Sequence, residues 1–337
     1  MKKKIIMLLV PVGLLLNCNI TPDHRGGSYL ETEHWQRYQK FLPESMRFNA
    51  NNLPTESYVE IFNNRIHLDR YGNDILPCKF ILLHGGGGNG RILGPIAVML
   101  YRAGCTVVAP DLPGYGLTVT DETQALTYDT WVKTVSILMN LERKKGQKLY
   151  LMGLSMGGLL AYQAVALNGK ADGLLVTTLV DPRRQEVRDA VSANLFLSRI
   201  VTPINNWLSF ITDYLYMPIA LVSKMQYITN DPEFSEVFAT DPHAGGGWVS
   251  SRFLRTFMNY SPAIEPEDFN ICPVWLAHPG LDPWTPLSMS QPFYDKLAAE
   301  KKLIILDGAG HLPYEEPGRS ILEKTIRNLI ANKGQIN

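Results

Sequence analysis

From residue 79 onward the chain alternates short, nearly continuous apolar runs with segments of helical spacing, and this pattern restricts the available folds more than any other feature. The runs lie at 80–83, 106–109, 149–152, 174–179, 274–277 and 303–306. Residues 91–103, 128–144, 155–167, 291–300 and 317–331 carry helical periodicity or helix-start residues such as Asp129 and Pro317. A short apolar run without polar alternation fits a strand buried on both faces, as in a parallel sheet covered by helices. Right-handed crossovers through the helical segments then place a ligand cleft at the carboxyl ends of the strands. The expectation is an α/β chain with a mostly parallel, doubly wound sheet.

Two stretches depart from this pattern. Residues 58–62 and 65–70 alternate apolar and polar across Asn63-Asn64, which predicts a hairpin of edge strands. Between Asp181-Pro182 and Pro273 no buried strand is legible, only helical and irregular sequence. That interval holds Phe196, Trp207, Phe210, Tyr214, Leu215, Tyr216 and Met217, more large apolar groups than a short solvated helix pair needs. It reads as a mainly helical cap, packing on the core and roofing the strand ends. The predicted organisation is an export signal at 1–18, a polar tether and lead-in at 19–56 with a short amphipathic helix at 30–41, a core at 57–182 and 272–332, and a cap at 183–271.

The 337 residues, 45% hydrophobic and 19% charged, can bury a sizeable core. A formal net charge of +0 provides no global field for nucleic acid, and neither a zinc-type Cys/His spacing nor a Walker loop is present. No cofactor, metal or nucleic-acid partner is expected. Lys2-Lys3-Lys4 precedes an apolar run at 5–16, the length of a secretory h-region and too short for a comfortable membrane span. Leu15-Leu16-Asn17-Cys18 resembles a bacterial lipobox, which implies lipidation of Cys18 and a membrane-associated, exported protein. Asn17 departs from the small residue usual before that Cys, so a cleaved signal or an uncleaved anchor remain alternatives. If Cys18 is lipidated, Cys78, Cys105 and Cys272 remain, an odd number. Each precedes a predicted strand and reads as a small buried apolar residue, with a Cys78–Cys105 bridge as the alternative.

The chemistry-bearing residues cluster just after the predicted strands. Gly153-Leu-Ser-Met-Gly157 follows the run at 149–152 and leads into a helical segment, the setting in which Gly153 and Gly157 permit a sharp elbow that exposes the hydroxyl of Ser155. His84-Gly-Gly-Gly-Gly-Asn-Gly90 follows the run at 80–83, and its glycines can turn backbone N–H groups toward a substrate carbonyl. Gly86 and Met156 are the expected oxyanion donors. A serine hydroxyl needs a base, and His311, in Gly308-Ala-Gly-His311 after the last run, is the candidate. Asp282, after the run at 274–277, is the expected acid that orients His311, with Asp181 as the alternative.

Together the His84-Gly-Gly loop, Asp111-Leu-Pro-Gly-Tyr-Gly116, the Gly-x-Ser-Met-Gly-Gly elbow, and Asp282 with Gly-x-Gly-His311 resemble the monoacylglycerol lipase and lysophospholipase branch of the α/β hydrolases, from about residue 58 to 331. Thr229-Asn-Asp-Pro-Glu233 and Asp241-Pro242 in the cap are similar to that branch as well. Leu154 stands where many members have His, and Asn89 where many have an acid. The resemblance implies the α/β-hydrolase fold and a serine hydrolase acting through an acyl-enzyme on a small, lipid-like ester such as a monoglyceride or lysophospholipid. A peptidase or amidase on the same triad is the nearest alternative, although the chain lacks the usual His-Gly-Gly-Pro-Gly loop and a clear acidic cluster for an amino terminus. A non-catalytic lipid-binding lipoprotein is the alternative of another class. Oligomeric state is not legible.

Overall fold

The computed structural model describes residues 26–121 and 123–336; the expected export signal at 1–18, with Cys18, lies outside the described residues. An eight-stranded sheet runs in the order β1-β2-β4-β3-β5-β6-β9-β10. Its strands are β1 (Thr55–Ile61), β2 (Asn64–Tyr71), β3 (Cys78–Leu83), β4 (Cys105–Pro110), β5 (Lys148–Gly153), β6 (Gly173–Val176), β9 (Val274–Pro279) and β10 (Lys301–Leu306), with β7 (Tyr216–Pro218) and β8 (Trp248–Ser250) forming a separate ribbon. β1 and β2 form the antiparallel edge, β2 joins β4 antiparallel, and the remaining pairs are parallel. β3 and β4 are buried along their whole length, as their mostly apolar runs predict, with Lys79 and Thr106 buried among them.

The helices that follow the sequence pattern are α2 (Gly94–Arg102), α3 (Tyr128–Glu142), α4 (Met156–Asn168), α11 (Leu287–Lys296) and α12 (Gly318–Ala331). Between β6 and β9 lies the insertion, with α5 (Gln185–Val191), α6 (Thr202–Trp207), α7 (Ser209–Thr212), α8 (Ile219–Val222), α9 (Pro232–Thr240) and α10 (Ser251–Met258). It is mainly helical as expected, but the ribbon of β7 and β8 within it was not legible, because three-residue strands leave no periodicity to read. Among the described residues, no helix is long and apolar enough to cross a membrane.

Three expectations change. The hairpin turn is Phe62-Asn63, both at positive φ, with Asn64 already paired to Ile61. The expected tether is, from residue 27 on, packed structure: α1 (Glu33–Tyr38) follows a short 3-10 turn, and Tyr29, Trp35, Tyr38, Leu42 and Met46 are buried. Large aromatic side chains supply the apolar area that holds this otherwise polar segment down. Cys78 and Cys105, rather than being merely small core residues, face each other at the paired starts of β3 and β4 and form a disulfide, while Cys272 is a buried free thiol.

Cys78 and Cys105 are 27 residues apart. Closing a loop of that length removes unfolded-state entropy worth roughly 3 kcal/mol. The double variant Cys78→Ala/Cys105→Ala is expected to unfold about 5 °C lower than wild type in a thermal melt, and an unchanged Tm would show that the bridge contributes nothing.

Candidate active site

Ser155 sits between β5 and α4 with φ 56° and ψ −130°, a backbone conformation that residues with a side chain rarely adopt. The turn is tight enough that a Cβ on Gly153 would press into the carbonyl of Gly157, and one on Gly157 would meet the carbonyl of Leu83. Two hydroxyls hold the strained residue: Ser155 N–H donates to Thr177 Oγ1 at 3.1 Å, and Thr178 Oγ1 donates to the Ser155 carbonyl at 2.8 Å. Both threonines belonged to the run read as a strand to residue 179. Instead β6 stops at Val176, paired to Gly153, and the chain beyond it serves the elbow. The polar pair in an otherwise apolar run was the available signal.

His311 and Asp282 meet directly. His311 Nδ1 lies 2.8 Å from Asp282 Oδ2, and both side chains are fully buried. Asp282 Oδ1 accepts from the N–H groups of Trp284 and Thr285, and Thr285 Oγ1 donates to Asp282 Oδ2 at 2.7 Å. Burial alone would raise the Asp282 carboxyl, but the His311 imidazole and the Thr285 donors outweigh it and hold the group below the ordinary carboxylate range. An ionised Asp282 fixes the proton on Nδ1 of His311, so the lone pair lies on Nε2, which is buried without a hydrogen-bond partner. Trp284 covers the imidazole at a ring-centroid distance of 4.7 Å.

Ser155, Gly86 and Met156 line one cavity, and Trp284 and Thr285, the neighbours of His311, line it too. Met156 opens α4, so its N–H is among those at a helix start without an intrahelical acceptor. The glycine loop is braced from several sides. His84 is buried and held neutral by desolvation; its Nδ1 bonds the Gly85 carbonyl and its Nε2 accepts from Leu112 N–H. Asp111 Oδ1 accepts from Gly90 N–H at 2.7 Å, and Asn89 Oδ1 accepts from Ile92 N–H.

The alternative acid is engaged elsewhere. Asp181 is paired with Arg183, which also holds Glu265. His278 bonds the carbonyl of Thr285, and His67 pairs with Asp111 at 3.0 Å. One contributor escaped the sequence reading: Glu315 accepts from Gly310 N–H and, through its other oxygen, from Asn230 N–H in the cap, tying the His311 loop to the insertion. Glu56, His67 and Asp69 converge within 4.8 Å in the manner of metal ligands. Arg91 already bonds both of their carboxylates, so the cluster is charge-compensated by protein.

Each hydroxyl on the elbow contributes about 1 kcal/mol, and the strained backbone depends on both. Thr177→Val/Thr178→Val is therefore expected to slow covalent labelling of Ser155 by a fluorophosphonate about tenfold to thirtyfold. Wild-type labelling rates in that variant would show that the hydroxyls do not set the geometry of Ser155.

Residues 78–318 match the family described as serine aminopeptidase, S33. The chain is 34% identical over 112 residues to a probable protein phosphatase methylesterase 1 of Caenorhabditis elegans, covering 32% of this chain and 31% of that protein. It is 33% identical over 84 residues to a thermostable monoacylglycerol lipase of Bacillus sp. (strain H-257), covering 25% and 33%. These matches thus span about a third of each curated relative. Among solved structures, the monoacylglycerol lipase of Paleococcus ferrophilus superposes with a TM-score of 0.63 at 19% identity, over 80% of this chain and 99% of that one. A soluble variant of the Saccharomyces cerevisiae monoglyceride lipase, bound to a substrate analogue, gives 0.67 at 17% identity, over 88% and 99%. The two structures share the fold, and the family match covers both the elbow and the His311 loop: the chain belongs to the serine aminopeptidase S33 family of α/β hydrolases.

Proposed function

We propose that the protein is a serine esterase that cleaves a single-acyl lipid ester, such as a monoglyceride or lysophospholipid. The observation that carries this reading is the lining of the cavity beside Ser155. Val180, Leu197, Ile204, Met217, Leu254 and Phe257 represent its largely apolar wall, and none of the described residues lining it is Asp or Glu. Its one charged side chain, Arg255, is bonded to Asp213. A substrate ammonium entering this cavity would find no carboxylate, and an unpaired buried charge costs several kcal/mol. That argues against aminopeptidase activity despite the family's description. An acyl chain gains roughly 0.8 kcal/mol for each methylene it buries there.

In the proposed reaction, Ser155 Oγ attacks the ester carbonyl while Nε2 of His311 takes its proton, and Asp282 orients the imidazole and stabilises its charged form. The N–H groups of Gly86 and Met156 hold the oxyanion, and His311 returns the proton to the departing alcohol. Water activated by His311 then releases the acid and restores Ser155.

A lipid-facing setting has two supports. Val201, Ile204 and Leu215 line the cavity and are also exposed, so an apolar path joins its interior to a cap surface carrying Trp207, Phe210 and Tyr214, which are 79%, 72% and 73% exposed. The Cys78–Cys105 disulfide suits an oxidising compartment, in keeping with an exported chain anchored through lipidated Cys18. Loss of palmitate incorporation in Cys18→Ala would test the anchor.

The function is tested by a panel of p-nitrophenyl and glycerol esters, lysophospholipids and aminoacyl anilides, run with wild type and Ser155→Ala. The expected result is ester turnover abolished in Ser155→Ala, with kcat/KM rising roughly threefold to fourfold per added methylene until the cavity is filled. Preference for the anilides would replace this reading with a peptidase.

A further inference from the structure

The segment ahead of β1 reaches the glycine loop from two sides. On the core side, Tyr29 is buried and its hydroxyl donates to Asp111 Oδ2 at 2.7 Å. The other oxygen of the same carboxylate accepts from Gly90 N–H at 2.7 Å, at the end of the loop that begins with His84. Asp111 Oδ2 also accepts from Leu117 N–H and faces His67, so this carboxylate links four separate parts of the chain. Arg91, the next residue after the loop, lies 4.8 Å from the ring centre of Tyr29 and 5.0 Å from that of Trp35. Its guanidinium is held by Asp69 and Glu56, and Glu56 also accepts from Tyr29 N–H.

On the cap side, Tyr38 Oη donates to Asp241 Oδ2 at 3.0 Å, and Tyr38 and Phe41 pack on Phe234 of α9. Asp241 accepts from His243 N–H, and the His243 carbonyl accepts from Asn89 Nδ2 of the glycine loop and from Gly116 N–H. The glycine loop has almost no side chains with which to fix itself, so its position depends on what surrounds it.

We infer that residues 29–41 form a clasp that sets the position of the glycine loop, with Tyr29 a positioning residue acting through Asp111 on Gly90 and Tyr38 its counterpart acting through Asp241 and His243 on Asn89. The inference rests on the proposed role of Gly86 as an oxyanion donor. A donor displaced by a fraction of an ångström stabilises the transition state less while leaving acyl-chain binding intact, so the clasp acts on kcat rather than KM.

The test uses Tyr29→Phe, which keeps the ring against Arg91 and removes only the hydroxyl, with Tyr38→Phe as the cap-side variant. Hydrogen exchange of the peptide spanning residues 84–92 should accelerate in both. kcat on an oxygen ester should fall about tenfold in Tyr29→Phe, a part of the 100- to 1000-fold that loss of a whole donor costs, with KM within twofold. The matched thionoester, whose sulfur is a weak hydrogen-bond acceptor, should lose less than threefold. Unchanged exchange at 84–92 overturns the clasp whatever the kinetics. Equal losses on both esters also overturn it, since Tyr29 would then support only the general fold. If wild type itself shows no Ser155-dependent turnover, the esterase reading fails, and the exchange measurement still decides whether the clasp exists.

Discussion

The backbone of Ser155 is held in a conformation that costs on the order of 1–3 kcal/mol, and the surrounding structure is arranged so that it has no relaxed alternative. β5 ends beneath it, α4 begins immediately after it, and Gly153 and Gly157 let the two elements meet closer than any side chain would allow. The Thr177 and Thr178 hydroxyls tie both polar groups of its backbone to the end of β6. Because β3, β5, β6 and β9 are neighbours in the sheet, the same register that fixes the elbow brings the glycine loop and the Asp282 loop beside it.

Buried charge is the second constraint. Asp111 is fully buried; desolvation would raise its carboxyl, but His67, the Leu117 N–H and the Tyr29 hydroxyl prevail and hold it at about 2. His67 shows the reverse sign: burial would lower it, and Asp111 raises it instead. Removing two charges from water is expensive unless each is paired, and here His67 Nδ1 lies 3.0 Å from Asp111 Oδ2. This pair lies directly behind the glycine loop, since Asp111 also accepts from Gly90 N–H. Its linkage to pH follows from the signs. The Asp111 contribution is present above the ordinary carboxylate range and is lost as pH falls toward 2, whereas that of His67 is present below the ordinary imidazole range and is lost as pH rises through its elevated value.

Much of this architecture was legible in the chain. The buried parallel strands announced themselves as apolar runs, because a strand covered on both faces has few polar positions, here Lys79, Thr106 and His278, to disguise it. The elbow, the glycine loop and the order of Ser155, Asp282 and His311 were legible because their chemistry admits few residue types. Asp282 over Asp181 was a preference from position alone; in three dimensions Asp282 meets His311 while Arg183 holds Asp181. The packed segment at 29–46 was misread as a tether because its polar, proline-broken sequence hides aromatic residues whose partners are far away, such as Asp111, 82 residues on from Tyr29.

The sequence by itself determined the alternation of strands and helices in the core, Ser155 and His311 as the candidate nucleophile and base, and the apolar character of the cap, since each depends on local periodicity or on a residue type that few others can replace. Only the tertiary structure decided that Thr177, Thr178, Thr285 and Glu315 support the site, that Cys78 and Cys105 are joined, and that none of the described residues lining the cavity beside Ser155 is Asp or Glu. These depend on contacts between residues distant in the chain, and a hydroxyl or carboxylate acquires its role only from what the fold sets against it.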